Sequence, residues 1–312
     1  MLKSKRGPRS VRPTRVQVFR KIRQSATQPP LRQAALEVYS KIPPSDNIDR
    51  HIETQPDPAL KLTLRHIHDR VAFAREVLGF TPYATQEPAL RTWSKRLILN
   101  CNRQWGKSTI AAIRALHRAW FWPHSLILLV SRSQMHTSNL FDKIKELTPA
   151  LELGKLPTDG INRKSMKLPN GSRIVALAGG EYNKRSHSRA AMVIIDEASM
   201  VPDPIHDAIS PTLGTTNGEL MLLSTPAGKR GAFYRAWAFG GEQWHRIHGP
   251  VDESLTGGRI SREHLESERL RGGDDFFAQE YKCEFLDRDS HIFAEDLLNN
   301  VFDKDLESWE KR

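Results

Sequence analysis

One stretch constrains this chain more than any other: Arg96 to Ile110, reading RLILNCNRQWGKSTI. Leu97, Ile98 and Leu99 form a short apolar run, as a buried parallel strand does. A polar turn follows and closes on Gly106-Lys107-Ser108-Thr109. Ile110 to Trp120 then runs in Ala, Ile, Leu and Arg with no Pro or Gly, which predicts a helix. Strand, tight loop and helix in that order form the geometry that wraps a polyphosphate, because loop amides and the helix N-terminus point at the anion. On this reading Lys107 reaches the β- and γ-phosphates and Ser108 holds Mg²⁺. Gln104, Trp105, Gly106 and Thr109 complete the loop. The usual spacing puts a first glycine at position 101, where this chain has Cys101. The short motif alone is therefore weak, and a surface loop is the plain alternative. The flanking strand and helix argue for the phosphate.

A second segment, Ala191 to Ser199, reads AMVIIDEAS: an apolar strand that ends in two acids. Acids at the C-terminal end of a buried parallel strand sit where α/β folds place ligands. Asp196 is expected to hold Mg²⁺ and Glu197 to orient and deprotonate an attacking water. The alternative is a strand that merely exits into solvent. Glu219 to Thr225 is a further apolar strand, and its terminal Ser224 and Thr225 can sense a γ-phosphate. Upstream, Phe80 to Gln86 places an aromatic, a proline and a glutamine ahead of the loop. A Gln86 amide can both donate to and accept from an adenine edge. A helix cap with a surface glutamine is the competing reading.

The 312 residues allow one large or two small domains. The formal charge of +11 and a pI near 9.8 favour a polyanionic partner. Ten basic residues, from Lys3 to Arg32, precede the first acid, Glu37. Residues 1–58 are therefore expected to form a basic, largely disordered arm, with a short helix from Leu31 to Lys41. No run approaches the ~18 apolar residues of a membrane span. Cys101 and Cys283 give neither a disulfide framework nor zinc spacing, which fits a reducing compartment.

Along the remainder, Ala59 to Gly79 has helical apolar spacing. Ser125 to Val130 is a second strand, followed by a helix to about Leu147. Asn162 to Arg189 is a basic hairpin around Asn170-Gly171, with Lys164, Lys167 and the Lys184–Arg189 cluster as candidate DNA contacts. Ala232 to Phe239 predicts a helix and Gln243 to His248 an edge strand. Ser261 to Leu270 predicts a charged helix ending at Gly272-Gly273, and Asp274 to Phe285 a helix that becomes extended.

Taken in order, Gln86, RQWGKST, the SRSQ segment, VIIDEAS and LLSTPAGKRGAFY resemble the ATPase domain of the large terminase subunit of tailed bacteriophages. The resemblance covers about Leu60 to Phe285. It implies an α/β fold of the RecA-like, ASCE P-loop class with a mostly parallel central sheet flanked by helices. It implies ATP and Mg²⁺ as ligands, Gln86 on the adenine, and Ser224-Thr225-Pro226 as a coupling motif. Arg103 is the first choice for an arginine finger, with Arg230 or Arg235 second. The implied partners are double-stranded DNA, a portal protein and a small terminase subunit, with a homo-oligomeric ring on the procapsid, a monomer in isolation, and no membrane. The implied place is the host cytoplasm. Residues 59–285 are read as the ATPase domain and 286–312 as an acidic linker. A nuclease domain of the family's kind does not fit after Phe285, so no endonuclease activity is expected. Two alternatives stand beside this: a helicase-like nucleic-acid-dependent ATPase and a non-catalytic DNA-binding scaffold.

Overall fold

The computed structural model describes residues 29–43, 47–151, 164–178, 189–251 and 260–287. The first 28 residues, the cluster at 184–188 and residues 288–312, all singled out above, lie outside the described residues. No described helix is long and apolar enough to cross a membrane.

Seven strands form one sheet: β1 (Arg96–Cys101), β2 (Leu126–Ser131), β3 (Ser165–Lys167), β4 (Arg173–Ala178), β5 (Met192–Asp196), β6 (Glu219–Ser224) and β7 (Trp244–Gly249). Their order is β3-β4-β2-β5-β6-β1-β7. β6 pairs in parallel with both β5 and β1, and β1 with β7, whereas β3 and β4 are antiparallel. β1 and β5 bury nearly every residue, as strands covered on both faces do. The strand ending in Ser224 thus lies between the one ending in Cys101 and the one ending in Asp196.

Contacts divide the chain into two compact units: Met1–Thr92, Thr109–Ile127 and Phe141–Val175 in one, and Trp93–Ser108, Leu128–Leu140 and Ala176–Arg312 in the other. In the first unit, α1 (Pro29–Lys41) packs against α3 (Pro58–His68), and α2 (Ile48–Glu53) also touches α3. The helix expected from Leu31 to Lys41 is present as α1, which begins at Pro29, and α2 is a second helix within the stretch expected to be largely disordered. Ala35 and Ile52 bury their side chains there, an apolar gain that the arginine-rich composition conceals.

The single helix expected from Ala59 to Gly79 is broken. Asp69 takes an extended backbone (φ −108°, ψ 103°), and its carboxylate accepts the Val71 N–H at 2.9 Å. A new turn (Arg70–Ala72) and a π-helical turn (Phe73–Val77) follow. An aspartate that caps a new turn interrupts the backbone without disturbing the apolar spacing. A short helix α4 (Glu87–Arg91) then leads towards β1.

The core of this unit holds several cationic or titratable side chains, Arg70, Arg114 and His117 among them. Arg70 and Arg114 are 1% exposed and His117 is fully buried. Arg70 donates to His117 Nδ1 at 3.3 Å and to Thr92 O at 2.7 Å. Arg114 donates to Ala89 O and Thr92 O at 2.8 and 2.9 Å. His117 Nε2 donates to His66 O at 3.0 Å. Arg114 and His117 belong to α5 (Lys107–Phe121), the helix that follows the glycine-lysine loop. The β3–β4 hairpin turns at Asn170-Gly171, where Gly171 has φ 82° and a Cβ would sit 2.5 Å from the His124 ring.

The second unit holds the C-terminal ends of β1, β5 and β6. It also carries α7 (Asp203–Gly214), α8 (Gly231–Phe239) and α9 (Arg262–Glu280); α6 (Gln134–Leu147) is shared between the units. α9 kinks at Gly273 (φ 77°, ψ 172°), where the sequence predicted a stop between two helical segments.

Candidate active site

The chain leaves β1 through Asn102, which is fully buried. Its Oδ1 accepts the Gln104 N–H at 2.9 Å and its Nδ2 donates to Gly249 O at 3.0 Å. This fixes a tight turn at Arg103–Trp105. Gly106 follows with φ 93°, a conformation that costs a side-chain-bearing residue about 1 kcal/mol or more. Lys107, Ser108 and Thr109 then open α5. The loop therefore rests on Asn102 and Gly249, neither of which the phosphate-loop pattern singles out.

Lys107 is 6% exposed. Its Nζ donates to Cys101 O and Asn102 O at 2.7 and 2.9 Å. The ammonium is also near enough to Asp196 to hold that carboxyl's pKa down. Burial and the neighbouring Glu197 charge outweigh this and push Asp196 up to about 7. A carboxyl so buried and so crowded by a second one has the chemistry to take up a cation. Ser108 and Asp196 offer the hard oxygen donors that Mg²⁺ prefers. Among the described residues no group of three His, Cys, Asp or Glu could hold a metal by itself.

Glu197 sits just past β5 with φ 50° and ψ 44°. A left-handed glutamate is uncommon and costs on the order of 1–3 kcal/mol, a strain that concentrates at functional positions. Its carboxylate receives the Ser224 hydroxyl at 3.5 Å, and Ser224 Oγ lies 2.7 Å from Ser199 Oγ. The end of β6 is thus tied to the end of β5.

Arg103 does not stand free. Its Nε pairs with Glu280 Oε2 at 3.0 Å, and the same oxygen receives the Thr225 hydroxyl at 3.4 Å. Glu280 closes α9 and is 8% exposed. Glu280 is not predictable from the loop motif, because α9 brings it in from a distant part of the chain, whereas Ser199 closes the AMVIIDEAS segment three residues past Asp196. Of the other arginines considered, Arg235 pairs with Asp203 at 2.9 Å.

Three expectations need qualification. The Trp105 side chain is 3% exposed and lies against Gly249, where a Cβ would approach its indole to 2.5 Å. Trp105 is thus the floor of the loop, and only its backbone is available to a phosphate. Gln104 is exposed and enters the turn through its backbone N–H. Gln86 belongs to the first unit and is 1% exposed. Its Oε1 accepts the Tyr83 N–H at 3.0 Å, so the side chain folds back on its own turn. The structure brings Lys107, Asp196, Glu197 and Ser224 to one end of the parallel strands, with Arg103 and Thr225 joined through Glu280.

Known proteins resemble this chain over about two thirds of its length. Residues 98–300 match the family described as terminase large subunit, T4likevirus-type, N-terminal. The terminase large subunits of Thermus phage G20c and Thermus virus P23-45 are 25% and 24% identical over 257 residues. Each alignment covers 70% of this chain and 52% of the relative, so the chain spans about half the length of those relatives. Among solved structures, the large terminase ATPase domain of Thermus phage P74-26 superposes with a TM-score of 0.59 at 23% identity. That match covers 68% of this chain and 97% of that one. The large terminase of bacteriophage HK97 gives 0.57 at 16% identity, over 70% and 55% of the two chains. A large terminase from a thermophilic bacteriophage, solved in complex with ADP, gives 0.54 at 13% identity, over 67% and 57%. With the matched segment exceeding half its length, this chain belongs to the terminase large subunit family.

Proposed function

We propose that this chain hydrolyses ATP to move double-stranded DNA into a viral procapsid. The observation that carries the proposal is Lys107 within electrostatic reach of Asp196, beside a left-handed Glu197. Family membership supports it, as does the thermophilic-phage relative solved with ADP.

The reaction is phosphoryl transfer to water, in which positioning and charge neutralisation supply most of the rate. Lys107 exchanges its two carbonyl partners for β- and γ-phosphate oxygens. Gly106 and the first turn of α5, with Ser108 and Thr109, present backbone N–H groups to the same oxygens. Ser108 and Asp196 would hold Mg²⁺, which neutralises phosphate charge when bound. Glu197 orients the attacking water and accepts its proton. Ser224 reports the state of Glu197 along β6. Arg103, drawn from Glu280, adds positive charge as the γ-phosphate leaves, and Thr225 shares that carboxylate and so follows its release. Gln86 recognises the adenine by exchanging its bond to Tyr83 N–H.

The family reading extends to a homo-oligomeric ring on a portal, a small-subunit partner and action in the host cytoplasm. Of the basic hairpin residues, exposed Lys167 is the proposed DNA contact, with affinity that falls steeply with salt, whereas the Lys164 ammonium is buried. Phosphate release by the purified chain, measured with Mg²⁺ and with or without linear duplex DNA, tests the proposal. DNA-stimulated turnover that needs Mg²⁺ is expected. A folded chain that neither binds nor hydrolyses ATP would overturn it.

A further inference from the structure

Ser224 closes β6 and is fully buried, so its hydroxyl depends on partners inside the protein. It has two: Ser199 Oγ at 2.7 Å and Glu197 Oε2 at 3.5 Å. Serine hydroxyls mostly bond to nearby backbone, whereas this contact joins two side chains 25 residues apart. The turn that carries Ser199, Ala198–Met200, is itself held in place. Met200 N–H donates to Glu197 O at 2.9 Å, and His206 Nε2 of α7 donates to Ala198 O at 3.2 Å.

A serine hydroxyl has one proton to give. If Ser224 gave its proton to Ser199, its lone pairs would face the Glu197 carboxylate, acceptor against acceptor. If Ser199 gives its proton to Ser224, the Ser224 proton is left for Glu197 Oε2 and all three oxygens are matched. Among the described residues Ser224 is the side-chain donor to this carboxylate. At 3.5 Å the contact is long, so the direction of the proton matters more than the strength of one bond. Glu197 itself has a left-handed backbone, outside helix or strand, so neighbouring groups must set where its carboxylate points.

We propose that Ser199 is a positioning residue for hydrolysis. Its hydroxyl sets the direction of the Ser224 proton and, through it, aims Glu197 at the attacking water. The inference rests on the ATPase reading and deepens it, adding a residue that acts on Glu197 only through Ser224. A pair that merely pinned β5 to β6 would have a different signature.

The test measures ATP turnover by the whole chain with Mg²⁺, in steady state and in single turnover. Ser199→Ala should lower kcat about five- to tenfold, the worth of one hydrogen bond, with KM and nucleotide affinity by titration calorimetry unchanged. Ser199→Thr should restore kcat, and Ser199→Cys, whose thiol is a weaker donor, should fall between. The deciding arm uses Glu197→Gln. A glutamine amide can donate to Ser224, so the direction of the Ser224 proton no longer matters there. Adding Ser199→Ala should then leave the single-turnover rate of Glu197→Gln unchanged, whereas loss of a mere pin would slow it again. Melting curves show whether each variant folds; if Ser199→Ala does not, the Thr and Cys variants decide. Unaltered kcat in Ser199→Ala, a loss that appears in KM, or a loss that persists in Glu197→Gln would each overturn the inference and leave the ATPase reading in place. No turnover by the folded, unsubstituted chain would overturn both.

Discussion

Two clusters of inward-facing charged and polar side chains in this chain differ in what surrounds them. In the first unit, Arg70, Arg114 and His117 donate mostly to backbone carbonyls of Thr92, Ala89 and His66. At the strand ends of the second unit, Asp196, Glu197 and Ser224 lie together with Lys107, which donates to Cys101 O and Asn102 O; Asp196 is pushed up to about 7 and Glu197 has a left-handed backbone. The first cluster ties α5 to the segment from Ala89 to Thr92 and so is a structural bracket. Carboxyls crowded together beside an ammonium can exchange partners for a ligand. Burial of charge does not separate these roles; the crowded carboxyls and the strained glutamate do.

The contrast is open to experiment, and the largest effects should come from the second cluster. Lys107→Ala and Glu197→Ala should each lower ATP turnover by about 10²-fold or more. Glu197→Ala should keep its nucleotide affinity by titration calorimetry, since it loses the base and not the phosphate grip. Normal turnover by Glu197→Ala would remove it from the base role. In the first cluster, Arg70→Met should cost about 3–5 kcal/mol in denaturant unfolding, because it strips donors from Thr92 O and His117. Its turnover per folded molecule should change little. An equal loss of turnover would erase the distinction between the clusters.

The pH dependence sharpens the same point. Burial, and then the charge of Arg70, hold the His117 pKa well below its ordinary value of 6.5. Its Nε2 carries the proton donated to His66 O, leaving Nδ1 to accept from Arg70, which is the neutral ring. A base with a depressed folded-state pKa contributes fully above the unfolded value and loses that contribution as pH falls below it. Stability should therefore decline below pH 6.5 by up to about 1.4 kcal/mol per pH unit. Urea midpoints at stepped pH would show this slope, and His117→Gln should flatten it. The smallest effect should come from the link between the elements: Glu280→Gln or Thr225→Val should change turnover only about three- to tenfold, since each weakens one or two hydrogen bonds. Steady-state kinetics would resolve that from the loss at Lys107.

Much of this is legible in the sequence because apolar runs and punctuation are local. The strand before Asn102, the helix after Lys107 and the strand ending at Asp196 all announce themselves by pattern. The turn at Asn170-Gly171 and the interruption at Gly273 do so by glycine. The cap at Asp69 is not legible, because the apolar spacing from Leu60 to Val77 continues across it. Nor is the order that sets β6 between β1 and β5, because pairing is decided by contacts far apart in sequence. The same holds within the candidate site. Lys107, Asp196 and Glu197 sit at motif positions, but Glu280 arrives from the end of α9 and Asn102 acts through a side-chain turn. The loop pattern counts Trp105 among the residues around the phosphate, whereas its indole is buried against the sheet.

That indole makes the sheet's margin an unexpected lever. β7 is an edge strand of the described sheet, yet its last residue, Gly249, takes both the backbone and side-chain N–H of Asn102 and lies flat beneath Trp105. Pulling this rim outward by about an ångström would drag the anchorage of the phosphate loop with it, although nothing had touched Lys107. Even a methyl group at 249 would have to evict the ring, so one missing carbon at the border of the molecule keeps its centre in register.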